Sequence, residues 1–257
     1  MQFLAIVGAQ RSGSTYLYQL LHQHPQIVMA QPVRPEPKFF LHQHLFSLGK
    51  AYYQQRYFNN LDNKIVYIGE KSTSYIENIT SAHRIKQFYP HARILIILRD
   101  PVTRAYSNYR FSLDNQLETL TFPQALKAEK QRLADTQMAV SVNPFAYRTR
   151  GYYINYIEPY LDIFPHNQLK VIIFEELVNN LEYAQDLYKW LGVEHHFVTD
   201  SYNKIYNAAA TQQNEQPDTA LKDLALGYQD SITQLERNII GHKLDIWRNN
   251  HKNIIAL

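Results

Sequence analysis

The sequence contains no cysteine among its 257 residues, and glycine (8) and methionine (3) are scarce. The lack of cysteine excludes disulfide bonds, thiolate catalysis and cysteine-ligated zinc, and it favours a cytoplasmic protein. A strong excess of positive or negative charge is also lacking, since the formal net charge is only +3. This balance argues against nucleic-acid binding. No apolar run approaches the ~20 residues of a membrane span, so we expect no membrane insertion.

The composition and the hydrophobic pattern are typical of a folded α/β protein. Hydrophobic residues make up 45% of the chain and aromatic residues 13%, which excludes disorder as the dominant state. Apolar runs alternate with helical patterns, and this alternation predicts a parallel sheet covered on both faces. We therefore expect one domain, 1–257, with a three-layer α/β/α fold like that of P-loop NTPases. The predicted strands are 3–7, 65–68, 94–98 and 169–174, and the predicted helices are 16–21, 81–89, 102–112, 152–164, 175–190 and about 217–247.

The loop after the first strand has the composition of an anion-binding turn. Residues 8–15 read GAQRSGST and lie between a predicted strand and a predicted helix. The backbone N–H groups of such a loop and the helix dipole favour a phosphate-like group. Gly8 and Gly13 have P-loop spacing, but Ser14 stands where that motif requires lysine. A P-loop kinase is thus less favoured than another anion-binding protein. The alternative without a binding function is an ordinary tight turn with an exposed Arg11.

The third predicted strand ends in a basic residue and leads directly into a helix. Arg99 follows the strand, Pro101 suits the helix start, and Ser107 lies two helical turns further on. Arg99 and Ser107 are therefore candidates for holding a second phosphate. The alternatives are an ion pair of Arg99 with Asp100 or Glu70, and a magnesium-binding role for Asp100.

Taken together, these segments resemble the sulfotransferases that use 3′-phosphoadenosine 5′-phosphosulfate (PAPS). The resemblance is closest to the bacterial and heparan-sulfate-type branch of that family. Residues 8–15 are similar to its 5′-phosphosulfate loop, and residues 98–107 (LRDPVTRAYS) to its 3′-phosphate motif. Further similar segments follow in the family's order: EPKFF at 36–40, EKS at 70–72, RGYY at 150–153 and IGHKLDIW at 240–247.

The resemblance implies a donor site that needs no metal. PAPS would be the co-substrate and 3′-phosphoadenosine 5′-phosphate (PAP) the product. The 5′-phosphosulfate would be bound by Arg11, Ser12, Gly13, Ser14 and Thr15, and the 3′-phosphate by Arg99 and Ser107. Tyr153 and Lys204 would be further donor contacts, with Tyr206 as a second candidate to cover the adenine.

The resemblance also implies the catalytic residues. Glu36 would be the general base, Lys71 would lie beside the transferring sulfate, and Arg11 would assist there. Alternatives remain open from the residues alone: a salt bridge from Glu36 to Arg34 or Lys38, a pairing of Lys71 with its neighbour Glu70, and His42 or His44 as the base.

The function implied is transfer of the sulfuryl group from PAPS to a hydroxyl or amine by in-line displacement. The acceptor would be a small molecule, a carbohydrate or a carrier-tethered chain. Two other functions compete with this one: a P-loop kinase-like phosphotransferase, and a non-catalytic protein that binds PAPS or PAP.

Overall fold

A parallel β-sheet organises the protein. The computed structural model describes residues 1–59, 61–134, 143–199 and 218–256. In these ranges five strands form one sheet in the order β2-β3-β1-β4-β5, with every neighbouring pair parallel. The strand at the centre of this order therefore carries the first loop at its carboxyl end, where ligands of parallel sheets gather. The strands are β1 (Gln2–Gly8), β2 (Ile27–Met29), β3 (Tyr67–Lys71), β4 (Arg93–Leu98) and β5 (Leu169–Ile173).

Helices follow most strands. None of those in the described ranges is both long enough and apolar enough to cross a bilayer. The helices are α1 (Ser14–His22), α2 (Gln43–Phe46), α3 (Gly49–Tyr57), α4 (Ile79–Phe88), α5 (Pro101–Asp114), α6 (Phe122–Ala134), α7 (Ile154–Leu161), α8 (Phe174–Leu177), α9 (Leu181–Leu191), α10 (Asp218–Gly227), α11 (Gln229–Leu235) and α12 (Asp245–Ala256). Short 3₁₀ turns occur at Tyr75–Glu77 and Thr149–Gly151, and a π-helical turn at Glu236–Ile240.

The chain forms two compact units. The first consists of Met1–Leu98 and Tyr156–Tyr206 and contains the whole sheet. The second consists of Arg99–Asn155 and Asn207–Leu257 and is helical in the ranges that the structure describes. The single domain expected from the sequence stays a prediction.

Both faces of the sheet in the first unit are covered by helices. On one face Leu4 and Ile6 are fully buried in a cluster with residues of α1 and α9. On the other face the Phe3 ring contacts the rings of Tyr53, from α3, and Tyr89, which follows α4. Each fully buried side chain of this size contributes about 1.5–3 kcal/mol to folding. The predicted three-layer α/β/α class is confirmed.

The strands differ from the prediction in two places. The sequence analysis missed β2, which has only three residues. It also placed the second apolar run at 65–68, whereas β3 begins at Tyr67 and continues through Lys71. Glu70 and Lys71 therefore belong to a strand and point to opposite faces of the sheet.

Two predicted helices are divided. The helix predicted at 175–190 is α8 and α9, and the break contains Asn179 with a φ of 58°. Asn180 then caps α9, because its side chain accepts the Tyr183 N–H. The stretch predicted as helical from about 217 to 247 holds α10, α11, the π-helical turn and the start of α12. Pro159 lies inside α7.

His24 fastens the end of α1 to a distant part of the first unit. Its Nε2 lies 2.8 Å from the Glu194 carbonyl oxygen, and its Nδ1 accepts the Gln26 N–H at 3.1 Å. The ring is neutral in this arrangement, because one nitrogen donates and the other accepts. Burial lowers the pKa of His24 below its ordinary value of 6.5. Protonation would turn Nδ1 into a donor facing another N–H.

We expect this histidine to make the fold acid-sensitive. Because the pKa of His24 is lower in the native than in the unfolded state, its contribution is complete above about pH 6.5 and is lost as the pH falls below that value. Titration of His24 changes the free energy of unfolding by at most ~1.4 kcal/mol per pH unit. Thermal unfolding of wild type and His24→Gln between pH 8 and 5 measures it. Equal slopes in the two proteins would contradict this role.

Candidate functional site

The loop between β1 and α1 carries donors suited to an anion. Arg11 and Gly13 have φ angles of 63° and 86°, in the left-handed region. Ser12 between them is buried, and its hydroxyl has no hydrogen-bond partner among the described residues. The first bond of α1 runs from the Leu17 N–H to the Gly13 carbonyl at 3.1 Å, so the preceding amides have no partner within the helix. A buried hydroxyl and the amides of the first helical turn together fit an oxyanion ligand.

Glycine is required at position 13 for two reasons. Its φ of 86° is strained for other residues, and a Cβ there would lie 2.1 Å from the Phe174 ring. We expect Gly13→Ala to lower the free energy of unfolding by about 2–4 kcal/mol. Gly192→Ala is the matched control, since its φ is 73° but nothing lies within 4 Å of the added carbon. Urea unfolding of both variants compares them, and equal losses would exclude the contact with Phe174 as a cause.

Glu36 and Lys71 form an ion pair. Glu36 Oε1 lies 2.5 Å from Lys71 Nζ, and the side chains are 16% and 5% exposed. Thr73 completes the arrangement, because its N–H donates to Glu36 Oε2 at 3.0 Å and its hydroxyl lies 3.1 and 3.2 Å from the two carboxylate oxygens. The structure thus brings together the two residues that the resemblance assigns to the reaction. The sequence alternative had paired Glu36 with Arg34 or Lys38 instead.

Glu70, the neighbour of Lys71 on β3, points into the protein. It is 0% exposed, and Oε2 accepts a hydrogen bond from the Tyr53 hydroxyl. Burial raises the pKa of Glu70 to about 7, although hydrogen bonding by the hydroxyls of Tyr53, Tyr75 and Ser72 opposes that shift. The expected alternative of a local pairing between Glu70 and Lys71 is therefore wrong: Lys71 pairs with Glu36.

In the second unit, Asp100 caps α5 and has both oxygens engaged. Oδ1 accepts the N–H groups of Val102 and Thr103 at 2.9 and 3.0 Å. Oδ2 accepts from Asn250 at 3.0 Å and lies 3.2 Å from His251 Nε2. Burial would raise the pKa of Asp100, but these partners outweigh it and the pKa lies below the ordinary value of 3.8. A carboxylate engaged in this way is a structural cap, which disfavours the magnesium-binding alternative.

The remaining predicted donor contacts of the second unit lie near that cap. Arg99 precedes it and is partly exposed, and Ser107 is partly exposed on α5. Tyr153 is buried, and its hydroxyl donates to the Arg99 carbonyl at 2.6 Å. Tyr153 therefore fixes the backbone at Arg99. Its role as an adenine contact stays a prediction, and Lys204 and Tyr206 lie outside the described residues.

The candidate bases His42 and His44 lie at the start of α2. Their ring centroids are 5.5 Å apart. Burial lowers the pKa of His42, and the nearby positive groups of His44, Lys38 and Arg84 lower it further. Their assignment as substitute bases stays a prediction.

Sequence reasoning missed three residues of this site. Thr73, Tyr53 and Tyr75 bind the carboxylates of Glu36 and Glu70, but no motif in the sequence singles out any of the three. The one available signal was β-strand alternation: extending the strand through Lys71 would have placed Glu70 inside and required polar partners for it.

Comparison with known proteins identifies the family. A family model described as a sulfotransferase domain matches residues 3–230. Because the match covers most of the sequence, this chain belongs to the sulfotransferase family, and the resemblance inferred from the motifs is confirmed.

Individual proteins agree with this result. Heparan sulfate glucosamine 3-O-sulfotransferase 3A1 of Mus musculus is 28% identical over 207 residues, which are 77% of this chain and 47% of that protein. A crystal structure of a sulfotransferase from Alicyclobacillus acidocaldarius is similar with a TM-score of 0.78 and 29% identity, over 96% of this chain and 99% of that one. Mouse sulfotransferase SULT7A1 complexed with PAP shares the fold, with a TM-score of 0.54 and 15% identity over 96% and 87% of the two chains. The chain spans 22% to 47% of the length of the curated relatives it matches.

Proposed function

We propose that this protein is an enzyme that transfers the sulfuryl group of PAPS to a hydroxyl or amine of an acceptor. The observation that carries the proposal is the Glu36–Lys71 ion pair, a carboxylate and an ammonium held together at the end of β3. Family membership and the anion-suited loop after β1 support it. The cytoplasmic location expected from the composition stays a prediction.

The loop after β1 would hold the donor's 5′-phosphosulfate. The buried Ser12 hydroxyl has no hydrogen-bond partner among the described residues, and the first amides of α1, from Ser14 and Thr15, have no acceptor within the helix. Gly13 allows the backbone to turn toward an anion, and the Arg11 guanidinium would bond two of its oxygens. When bound, PAPS supplies the sulfuryl group. These residues would bind and orient it, and Arg11 would offset negative charge on the equatorial oxygens.

The donor's 3′-phosphate would be recognised by Arg99 and Ser107. Asp100 and Tyr153 support this assignment, because they restrain the backbone that follows the Arg99 side chain. A fixed backbone reduces the entropy lost when Arg99 binds an anion. Tyr153 and Lys204 remain proposed contacts of the adenosine part.

Glu36 would act as the general base. A carboxylate that is 16% exposed can still meet a substrate, and its bonds to Lys71 and Thr73 hold it in one rotamer. It would take the proton of the acceptor hydroxyl or amine as that group attacks sulfur. Lys71 would orient Glu36 and stabilise charge at the transferring group, as alignment and electrostatics dominate such in-line transfers.

The acceptor that we propose is a carbohydrate. The support is the heparan sulfate glucosamine 3-O-sulfotransferase among the relatives, which names a sugar substrate. Small molecules and carrier-tethered chains are the other acceptor classes that the test must include.

Incubation of the purified protein with ³⁵S-labelled PAPS and a panel of acceptors tests the function. We expect labelled product and PAP to form together with an amino sugar or oligosaccharide, and EDTA to leave the rate unchanged. Magnesium-dependent transfer from ATP would overturn the proposal in favour of a kinase. Tight PAP binding with no transfer to any class of acceptor would instead favour a non-catalytic binding protein.

A further inference from the structure

A buried carboxylate lies on the opposite face of β3 from the Glu36–Lys71 pair. The proposed function uses Lys71 and leaves its neighbour Glu70 without a role, although Glu70 is 0% exposed. Burying an ionisable group of this kind is costly unless its partners compensate. The groups around Glu70 show which part of the structure the buried carboxylate supports.

Two hydroxyls near Glu70 hold the backbone of segment 36–40, which carries the proposed base. The Lys38 N–H donates to the Ser72 hydroxyl at 3.0 Å, and the Phe40 N–H donates to the Tyr75 hydroxyl at 3.0 Å. The segment needs such restraint, because Lys38 has a φ of 49°, in a region that non-glycine residues rarely adopt.

The same two hydroxyls act on the Glu70 carboxyl. Hydrogen bonding by Tyr75 and Ser72 lowers the pKa of Glu70 against the effect of burial. Tyr53 donates to Oε2, whereas Oε1 is buried and has no hydrogen-bond partner among the described residues. A buried carboxylate oxygen requires a donor, and the Ser72 and Tyr75 hydroxyls are the groups whose hydrogen bonding acts on this carboxyl.

We propose that Glu70 is a positioning residue for Glu36. Its carboxylate accepts hydrogen bonds from the Ser72 and Tyr75 hydroxyls. The lone pairs of these two hydroxyl oxygens are then directed at the backbone N–H groups of segment 36–40. The two faces of β3 thus serve one segment: Lys71 holds the side chain of Glu36, and Glu70 holds its backbone. This inference rests on the proposed function insofar as Glu36 is the base.

The ionised state of Glu70 matters because a carboxylate only accepts hydrogen bonds. A protonated carboxyl or an amide also donates, and a hydroxyl that accepts from it must turn its proton elsewhere. Because the pKa of Glu70 is about 7, the hydroxyls change their hydrogen-bonding direction near neutral pH. The other titratable groups that act on Glu70 are Tyr53 and Tyr57 of α3, Tyr75, Tyr89 and Glu36. Burial raises the pKa of all four tyrosines, so they stay neutral in this range.

Glu70→Gln tests the proposal. We expect kcat to fall about 10–100-fold at pH 8, with the donor's dissociation constant unchanged within about twofold. Wild-type kcat should rise with pH through about 7, and the variant should lack that step. A variant with wild-type kcat and an unchanged pH profile would overturn the inference.

Stability separates positioning from a purely structural role. The pKa of Glu70 is about 7 in the folded state, above the ordinary 4.5, so the native state loses stability as the pH rises from 4.5 through 7. Glutamine does not titrate. As the pH rises over that range, the Tm of the variant relative to wild type should therefore increase, while its kcat relative to wild type should decrease. A joint fall of Tm and kcat at pH 8 would contradict positioning.

Tyr53→Phe is the matched control. It removes the hydroxyl that donates to Glu70 Oε2 and keeps the ring, and among the described residues this hydroxyl makes no bond to segment 36–40. We expect the pH step in kcat to move to higher pH, because the Tyr53 hydroxyl lowers the pKa of Glu70. Ser72→Ala breaks one of the two bridges and should lower kcat without removing the step; it also serves if Glu70→Gln does not fold.

Amide hydrogen exchange reads the same contacts without any substrate. In ligand-free Glu70→Gln, the Lys38 and Phe40 amides should exchange about tenfold faster than in wild type. Unchanged exchange would overturn the inference whatever the kinetics. Faster exchange in the variant, together with a wild-type protein that transfers no sulfuryl group, would support the positioning of segment 36–40 and overturn the proposed function instead.

Discussion

Glu36→Gln is expected to lower kcat for sulfuryl transfer by about 10²–10⁴-fold, the usual contribution of a general base. Glutamine keeps the shape of glutamate and an oxygen for the Thr73 N–H, but it cannot take the acceptor's proton. The dissociation constant of PAP should stay within about threefold of wild type. Initial rates at saturating PAPS and titration calorimetry with PAP measure the two quantities.

Loss of the ion pair has its own consequence for Glu36→Gln. Lys71 is 5% exposed and would lose its charged partner, so the free energy of unfolding should fall by about 1–3 kcal/mol. Glu182→Gln, an exposed acid in the first turn of α9, is the control; it should leave the rate unchanged and lower the free energy of unfolding by less than about 1 kcal/mol. A large loss of PAP affinity in Glu36→Gln, equal to its loss of rate, would mean that Glu36 supports donor binding rather than proton transfer.

Removal of either proposed donor arginine should weaken PAP binding by about 10²-fold or more, since a charged hydrogen bond contributes about 1.5–3 kcal/mol and each guanidinium makes up to two. Arg11→Gly is preferred to alanine, because the φ of 63° suits glycine. Arg99→Ala is its counterpart. Calorimetric titration with PAP, and with AMP, which lacks the 3′-phosphate, separates their roles.

The two ligands give each arginine a distinct signature. Arg99→Ala should reduce PAP affinity while leaving AMP affinity unchanged, whereas Arg11→Gly should reduce both. Arg237→Ala, an exposed residue of the π-helical turn, is the control and should alter neither. If Arg99→Ala weakened AMP as strongly as PAP, its assignment to the 3′-phosphate would be wrong.

The strands were predictable where their apolar runs are long. β1 and β4 are continuous runs of buried residues, and both lie within one residue of the predicted bounds. β2 was missed because Ile27–Met29 has only three residues and its pairing with β3 is non-local. The end of β3 was misplaced because Gly69, Glu70 and Lys71 have low strand propensity, and tertiary pairing with β1 overrides it.

Parts of the candidate site were predictable from motifs, and their contacts were not. Glu36 and Lys71 were identified separately, but their 2.5 Å contact joins residues 35 positions apart and depends on the sheet. The partners of Glu70 come from α3 and from the turn after β3, and no sequence period links these elements. Local pattern reports local structure, whereas the charges of a site are compensated by residues that folding brings together.

The hydrogen bonds that tie segment 36–40 to β3 and the turn after it have a side chain on at least one end. A regular strand can be exchanged between homologues because backbone bonds do not depend on residue type. This segment has no such freedom. Chimeric enzymes built to alter acceptor choice should therefore inherit residues 36–40 and 70–75 from the same parent, as a single cassette.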